Sequence, residues 1–575
     1  MKRVLILAVM VFALTCAWAS VAINEQNFPE PQILEWAKNY DEDGNDVLSD
    51  AEIENATSIQ LYPIHSLRGL EHFKNLQNFN LWYYDFENEE DAREDGSFDI
   101  TSYDFSIFPN LADINLQRCL GFTSLDFSKN KKLTHFQLEG CKNITSFKLP
   151  DSIENINLLE LPKVKNYDFK QLNELMSLRL IDVAISDVDC SNLTKLRDVT
   201  ILSLREQPYE LNSLDLSGCT DLEILFIEGS TIKKVNLKDL PVLGTIQITE
   251  SELTDLNIEN CGVRWVTVYD NHINNLTIKN CPEMEQSLDC SNNELKVLLL
   301  DNLPKLPNVN CSDNQLLFLD LSGMQKGFEE AEGFFNGDDQ HPSMVAYKIS
   351  PTEVGLRVHS RFDVSRVLNL KVKGKAQTPR ETTVDGVRYF VFYDNGPDVA
   401  SLVGTQSNYE YETRWPYPWV NGNSKDNNLP VSLNIYKWTK PSSWIKIDGE
   451  TSITSEVGKS LAAPSVQRSQ DYDGQLTWKS SNEDVVKVNP TTGAMSFVGI
   501  GTATITVTGA ETDYRLSPSA VTITIVVTEP TGISGNVRTG KPDNVRTHDL
   551  LGRRIDRQSA TKGVVVVNGR KVVKK

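Results

Sequence analysis

Between residues 59 and 322 the sequence keeps returning to one phrase. It reads Leu133-x-x-Phe136-x-Leu138-x-x-Cys141, Leu211-x-x-Leu214-x-Leu216-x-x-Cys219, Leu253-x-x-Leu256-x-Ile258-x-x-Cys261 and Ile273-x-x-Leu276-x-Ile278-x-x-Cys281. Phrases start 10 or 11 residues apart, as at Leu243, Leu253, Val263 and Ile273, so a full coil of about 21 residues carries two short strands. Each apolar-x-apolar pair points inward at the strand period of two. Neither strand buries its face until the next coil stacks on it, so the pattern predicts a β-solenoid and a mainly β chain.

This spacing resembles the leucine-rich repeat family, in the bacterial, internalin-like form with two half-repeats per coil. Stretches such as Leu288-Asp289-Cys290-Ser291-Asn292-Asn293 and Leu319-Asp320-Leu321-Ser322-Gly323 are typical of its surface-protein members. The resemblance implies that Cys119, Cys141, Cys219, Cys261 and Cys281 sit at the turn position where such repeats place Asn or Cys. Cys190, Cys290 and Cys311 fall at inward strand positions. All eight read as small buried groups packing a ladder, with disulfides between neighbouring coils as the alternative. The acidic insert at 85–99, DFENEEDAREDGSFD, interrupts the register and reads as a solvated loop.

Downstream, a turn-rich linker at 323–342 leads to alternating segments such as RVLNLKVKGK and VRYFVFYDN, which predict a β module over 343–440. Its loop YETRWPYPWVNGN, residues 411–423, gathers Trp415, Tyr417 and Trp419 around two prolines; these aromatics either stack on a ligand or pack against a neighbour. Residues 446–528 carry Thr477-Trp478-Lys479-Ser480-Ser481-Asn482, Val486-Lys487-Val488, Thr492-Gly493 and Gly499 to Thr506. These resemble the bacterial immunoglobulin-like domain of group 2, which implies a β-sandwich spacer or adhesion module. The stretch 529–575 contains Asp549-Leu550-Leu551-Gly552-Arg553, Lys562-Gly563 and Asn568-Gly569-Arg570-Lys571-Val572-Val573-Lys574. It is similar to the C-terminal sorting domain of the type IX secretion system of Bacteroidota, although His548 and Val565 stand where that family often has aromatics.

The net charge of −21 argues against a nucleic-acid partner, which needs a basic surface. Residues 533–575 depart from this balance, with eleven Lys or Arg against three Asp, which points to a separate task for the tail. At the other end, Lys2 and Arg3 precede an apolar run and small residues. That is the layout of a secretory signal over residues 1–22, with cleavage after Ala19 or Ala22. A secreted, outer-membrane-surface or extracellular location is expected, with no membrane span in the mature chain.

Residues 41–52, DEDGNDVLSDAE, follow at once, within a helical cap expected over 23–58. Counted as an EF-hand loop, oxygen ligands at positions 1, 3, 5, 7, 9 and 12 are Asp41, Asp43, Asn45, the Val47 carbonyl, Ser49 through water, and Glu52. Leu48 supplies the apolar anchor, and ILEWAKNY and SDAEIENA read as flanking helices. Asp46 stands where glycine is expected, at a left-handed position that Asp tolerates at a cost of about 1 kcal/mol. A lone loop fits a structural Ca²⁺ site in the cap rather than a paired calcium sensor; the alternative is a plain acidic turn.

The seven histidines show no HExxH spacing, and no G-x-S-x-G elbow or phosphate-cradling glycine loop appears. A non-enzymatic binding or adhesion protein is therefore expected, with the solenoid meeting a host or neighbouring-cell protein. Candidate contact residues on it are Trp82, Tyr83, Tyr84, Trp265 and Tyr269. Two other readings stand beside this: glycan recognition through the 411–423 loop, and a passive surface-coat role.

Overall fold

The computed structural model describes residues 20–82, 100–204, 208–300, 303–324, 333–394, 398–415 and 428–531, with short strands at 547–548, 563–567 and 570–574. These form two compact units, divided between Pro441 and Ser442.

The first unit is a leucine-rich repeat solenoid. Thirteen strands, from Ser58–Leu61 to Phe334–Asn336, stack in one parallel sheet in chain order. Partners lie one coil apart, as in Ile156 beside Leu178 and Leu178 beside Val199. A second face carries shorter ladders, including Lys234–Lys238, Asp255–Glu259 and Asn275–Lys279. Among the described residues three coils carry a 3₁₀ turn in place of the second strand, at Leu70–His72, Phe105–Ile107 and Phe169–Gln171; in the last two, Asp104 and Asp168 accept hydrogen bonds from the backbone N–H groups of Ser106 and Lys170 and so divert the chain. Inward residues such as Phe79, Ile114, Phe136, Ile156 and Leu178 form a continuous dry core.

At the end of each phrase the chain turns a corner in a repeated way. One residue takes a left-handed backbone, and the next side chain points inward. The left-handed residues include Asn260 (φ 55°), Asp270 (φ 54°), Asn292 (φ 49°) and Asp313 (φ 53°), residue types that adopt this region at least cost. Gly140 (φ 61°) and Gly218 (φ 78°) do the same before Cys141 and Cys219.

The inward side chain then joins two coils. Asn314 Nδ2 donates to the carbonyls of Cys290 and Cys311, and its Oδ1 accepts the Leu295 N–H. Asn293 does the same with Val268, Cys290 and Ile273. Gln340 continues the series with Cys311, Gly337 and Leu316. The thiols of Cys119, Cys141, Cys219 and Cys261 donate to a carbonyl of the preceding coil, at Leu81, Leu116, Cys190 and Leu237. Burial pushes the Cys219 and Cys261 thiols up to about 11, so they remain protonated donors at neutral pH. All eight cysteines from Cys119 to Cys311 are buried and unbridged.

The solenoid core runs on without a break into an eight-stranded sheet covering Ser343–Thr439. Phe318 packs against Phe362 and Tyr411. Arg366, 3% exposed, pairs with Asp320 at 3.2 Å, donates to the carbonyls of Leu319 and Glu412, and lies 4.8 Å over the Tyr411 ring. Segment 343–440 therefore shares its core with the repeats and closes their far end.

The second unit holds a four-stranded and a three-stranded sheet around Trp478, Val486, Phe497, Ile505 and Ile525. Gly493 (φ 71°) comes so close to the Trp478 ring that a Cβ there would lie 2.5 Å from it, which explains the Thr492-Gly493 turn. Near the C-terminus Gly563–Val567 pairs antiparallel with Arg570–Lys574. Among the described residues no helix is long and apolar enough to cross a membrane.

Replacing Asn314 by Ala orphans the buried Leu295 N–H and leaves the Cys290 and Cys311 carbonyls with the Asn293 and Gln340 donors alone; it is expected to cost about 2 kcal/mol, whereas Cys restores one donor and costs less. Urea titration of the two variants checks the order. Arg366→Ala strands the Leu319 and Glu412 carbonyls and is expected to cost about 3 kcal/mol or more. The same titration should then show early loss of tryptophan signal from the Trp415 and Trp438 region.

Candidate metal loop and binding face

The cap begins with helix Pro31–Lys38, which turns Ile33 and Ala37 inward and stacks Trp36 edge-on against Phe73 at 4.6 Å. Trp36 Nε1 and the Tyr40 hydroxyl both donate to the Ser58 carbonyl, on the first strand of the sheet. A second helix, Asp50–Asn55, starts with a capping box between Ser49 and Glu52. The acidic loop runs between the two helices.

Its geometry is built by its own side chains. Asp41 accepts the N–H groups of Asn45 (3.1 Å) and Asp46 (2.9 Å). Asp43 accepts the Asn45 N–H and one Asn45 Nδ2 hydrogen. Asn45 Oδ1 accepts the Val47 N–H at 2.8 Å. Glu52, 7% exposed, reaches back to accept the N–H groups of Glu42 and Ser49, each at 2.8 Å. Carboxylate oxygens of Asp41, Asp43 and Glu52 converge within 4.8 Å of one another. Asp46 has φ 60°, the left-handed turn that its position requires. The converging groups are all oxygen donors, the set suited to a hard cation.

A strand that the sequence reading did not isolate completes the loop. Val21–Ala22 pairs antiparallel with Val47–Leu48, the Ile23 N–H donates to the Asp46 carbonyl at 2.9 Å, and Asn27 Nδ2 holds the Ala22 carbonyl. Leader cleavage after Ala22 would remove this strand; cleavage after Ala19 leaves it in place. Leu48 is fully buried beneath the pairing.

The other candidate surface is the outward face of the long sheet. Trp265 is 46% exposed there, and Ile224 45%. Ile224, Thr245 and Trp265 are register partners on three adjacent strands, with Asp198 next to Ile224 on the fourth. Beside them lies a cleft of about 720 Å³ whose lining includes Val242, Arg197, Glu223 and Arg264. Tyr269 is half-buried, and nearby Glu250 and Asp270 add to burial in raising its hydroxyl pKa. Trp82 is also half-buried, edge-on to Tyr62 at 6.2 Å. Tyr83, Tyr84, Tyr417 and Trp419 lie outside the described residues.

Of the two readings open for Trp415, stacking on a ligand or packing against a neighbour, the structure shows the packing, which removes it from the candidate ligand surface. Instead of standing exposed on its loop, it is 9% exposed, with its ring 5.6 Å from Phe335 at the end of the repeats. Sequence reading also missed Ile224 and a polar field on the first strands of the sheet. Its signal was the outward letters of Asn78-Phe79-Asn80, Asp113-Ile114-Asn115, His135-Phe136-Gln137 and Asn155-Ile156-Asn157.

Comparison with known proteins gives partial likenesses. No family model matches the chain. A disease resistance protein of Arabidopsis thaliana, RPS4B, is 26% identical over 28% of this chain; the match spans only 16% of that relative's length. Among solved structures, the functional domain of InlJ from Listeria monocytogenes, described as including a cysteine ladder, is 14% identical and overlaps 73% of this chain and 99% of its own, with a TM-score of 0.30. InlP of the same organism is 15% identical over the same shares, with a TM-score of 0.24.

The Glu52 carboxyl is held below the usual carboxylate range, first by the Ser49 N–H, then by the Ser49 hydroxyl and the Glu42 N–H. A group whose folded-state pKa is lowered stabilises the fold fully at neutral pH and ceases to do so as pH falls through the lowered value. In calcium-free buffer the melting temperature should therefore fall more steeply below about pH 4 for the natural chain than for Glu52→Gln, as read by calorimetry across an acid series.

Proposed function

We propose that this protein is a secreted, cell-surface, non-enzymatic binding protein whose solenoid face engages a protein partner. One observation carries the reading: Ile224 and Trp265 stand exposed in register beside a charged cleft. An apolar centre with a polar rim, anchored by an aromatic, is the anatomy of a protein-binding hot spot. The second unit then serves as a spacer, and the basic tail as the export and attachment signal. The leader-like start and acidic balance support an extracellular setting.

Within this reading the cap loop is a structural Ca²⁺ site held by Asp41, Asp43, Asn45, the Val47 carbonyl, Glu52 and, through water, Ser49. The converging carboxylates and left-handed Asp46 support it, and an extracellular loop can work at millimolar calcium. Val21–Ala22 takes the place that a second loop fills in paired sites.

Glycan recognition through 411–423 loses one of its three aromatics to the core, which favours the solenoid as the binding surface.

Two measurements check these readings. On an array of extracellular host proteins, Trp265→Ala should weaken capture about thirtyfold, the effect of truncating a hot-spot tryptophan, with melting unchanged. Equal capture by the variant would refute the surface. Calcium at millimolar level should raise the melting temperature of a chain beginning at Ser20, and Asp41→Ala with Glu52→Ala should abolish that rise. A chain beginning at Ile23 should show a reduced rise, and identical melting in calcium and chelator would exclude the metal.

A further inference from the structure

The first six strands of the long sheet, between Ser58 and Ile181, present a face unlike the Ile224–Trp265 patch. Their central outward column runs Asn80, Asn115, Gln137, Asn157 and Arg179, each the register partner of the next. Beside it stand Asp113 and His135, also register partners. Together with neighbouring serines and asparagines these residues line a groove of about 480 Å³. We propose that this groove binds an uncharged polyhydroxylated chain, a neutral polysaccharide, at a site separate from the protein-binding patch.

Three features of the groove select that chemistry. The first is charge. In a chain with 78 acidic and 57 basic residues, this field carries only Asp113 and Arg179 as formal charges, with His135 between. A polyanion would need a basic field, and a basic partner an acidic one. The second is the absence of anchors. The outward positions that line the groove bear no large apolar side chain, so the hot-spot residues that seat a folded protein are missing from it. An extended peptide recognises a sheet through its edge and through pockets for alternate side chains, and the apolar residues of this groove, Ile114, Phe136 and Ile156, all point inward.

The third is unmet hydrogen bonding. Each carboxamide offers donors and acceptors, and the column repeats them at the strand spacing of about 4.8 Å. The Oδ1 atoms of Asn115 and Asn157 are covered, and among the described residues no group donates to them. A buried acceptor without a donor is costly, so turning either amide about its terminal torsion toward the groove gains a partner there: a ligand hydroxyl supplies the missing proton while accepting from a neighbouring amide. At the start of the column, Gln60 Nε2 donates to the Tyr62 hydroxyl, and Tyr62 is 40% exposed, an aromatic face on which a sugar ring can stack.

The test is affinity electrophoresis of the full mature chain through gels containing a soluble β-glucan, a mannan or the acidic polygalacturonate, with titration calorimetry of whichever retards it. The expected result is retardation by at least one neutral polysaccharide, weakened tenfold or more in Asn115→Leu combined with Asn157→Leu. Leu matches Asn in size and removes a donor-starved acceptor, so the double variant should melt no lower than the natural chain. Gln137→Ala, on a half-buried side chain, gives a second reading if it does. Trp265→Ala should bind polysaccharide normally, which separates this site from the protein-binding patch. Retardation by polygalacturonate alone, no retardation by either neutral polymer, or binding indifferent to both the Asn pair and Gln137 would overturn the proposal.

Discussion

Everything in the first unit depends on how a buried corner satisfies its backbone. A stacked coil turns twice per repeat, and each turn takes carbonyl and N–H groups away from the sheets that would otherwise pair them. Asn293, Asn314 and Gln340 solve this with one amide that donates into two coils and accepts from a third segment. Cysteine solves the donating half with a thiol kept neutral by burial. The two residue types exchange at this position because both put a donor in an apolar cavity at little cost in volume. The left-handed residue just before them aims that donor inward.

Such a ladder has two ends that cannot satisfy themselves. At the start, Trp36 and Tyr40 donate to the first strand while the capping helix covers its core. At the far end, Arg366 and Tyr409 do the equivalent, with the Tyr409 hydroxyl donating to the Leu317 carbonyl at 2.7 Å. The acidic loop belongs to the first of these closures. Its hydrogen bonds, its left-handed Asp46 and its pairing with Val21–Ala22 make it part of the lid rather than an appendage.

Much of this was legible in the sequence, and the failures have physical causes. The coil length, the inward letters and the inward cysteines follow from period two and a nine-residue phrase, because a buried face tolerates few substitutions. The replacement of strands by 3₁₀ turns at Asp104 and Asp168 was hidden, since a single side-chain hydrogen bond decides it. The merging of segment 343–440 with the repeats was hidden too, because alternation reveals a strand but not what it packs on. Trp415 was undecided for the same reason: a tryptophan beside prolines reads alike whether its ring meets solvent or Phe335. Among candidate site residues, the convergence of Asp41, Asp43 and Glu52 was readable because a fixed spacing of oxygen-bearing letters is rare. The amide column was not, because polar letters at outward positions look like any solvated face until register aligns them.

That register has a consequence of scale. With neighbouring strands about 4.8 Å apart, the thirteen-stranded sheet is a ruler roughly 60 Å long. The amide groove centres near the fourth strand and the Ile224–Trp265 patch near the ninth, so about 24 Å separates them along a rigid scaffold. A glycosylated partner able to span that interval would meet both surfaces at once, its second contact being intramolecular and far stronger in effect than either alone. Inserting or deleting one coil between them would change the interval by a single strand spacing, so repeat number sets the distance that such a partner would have to span.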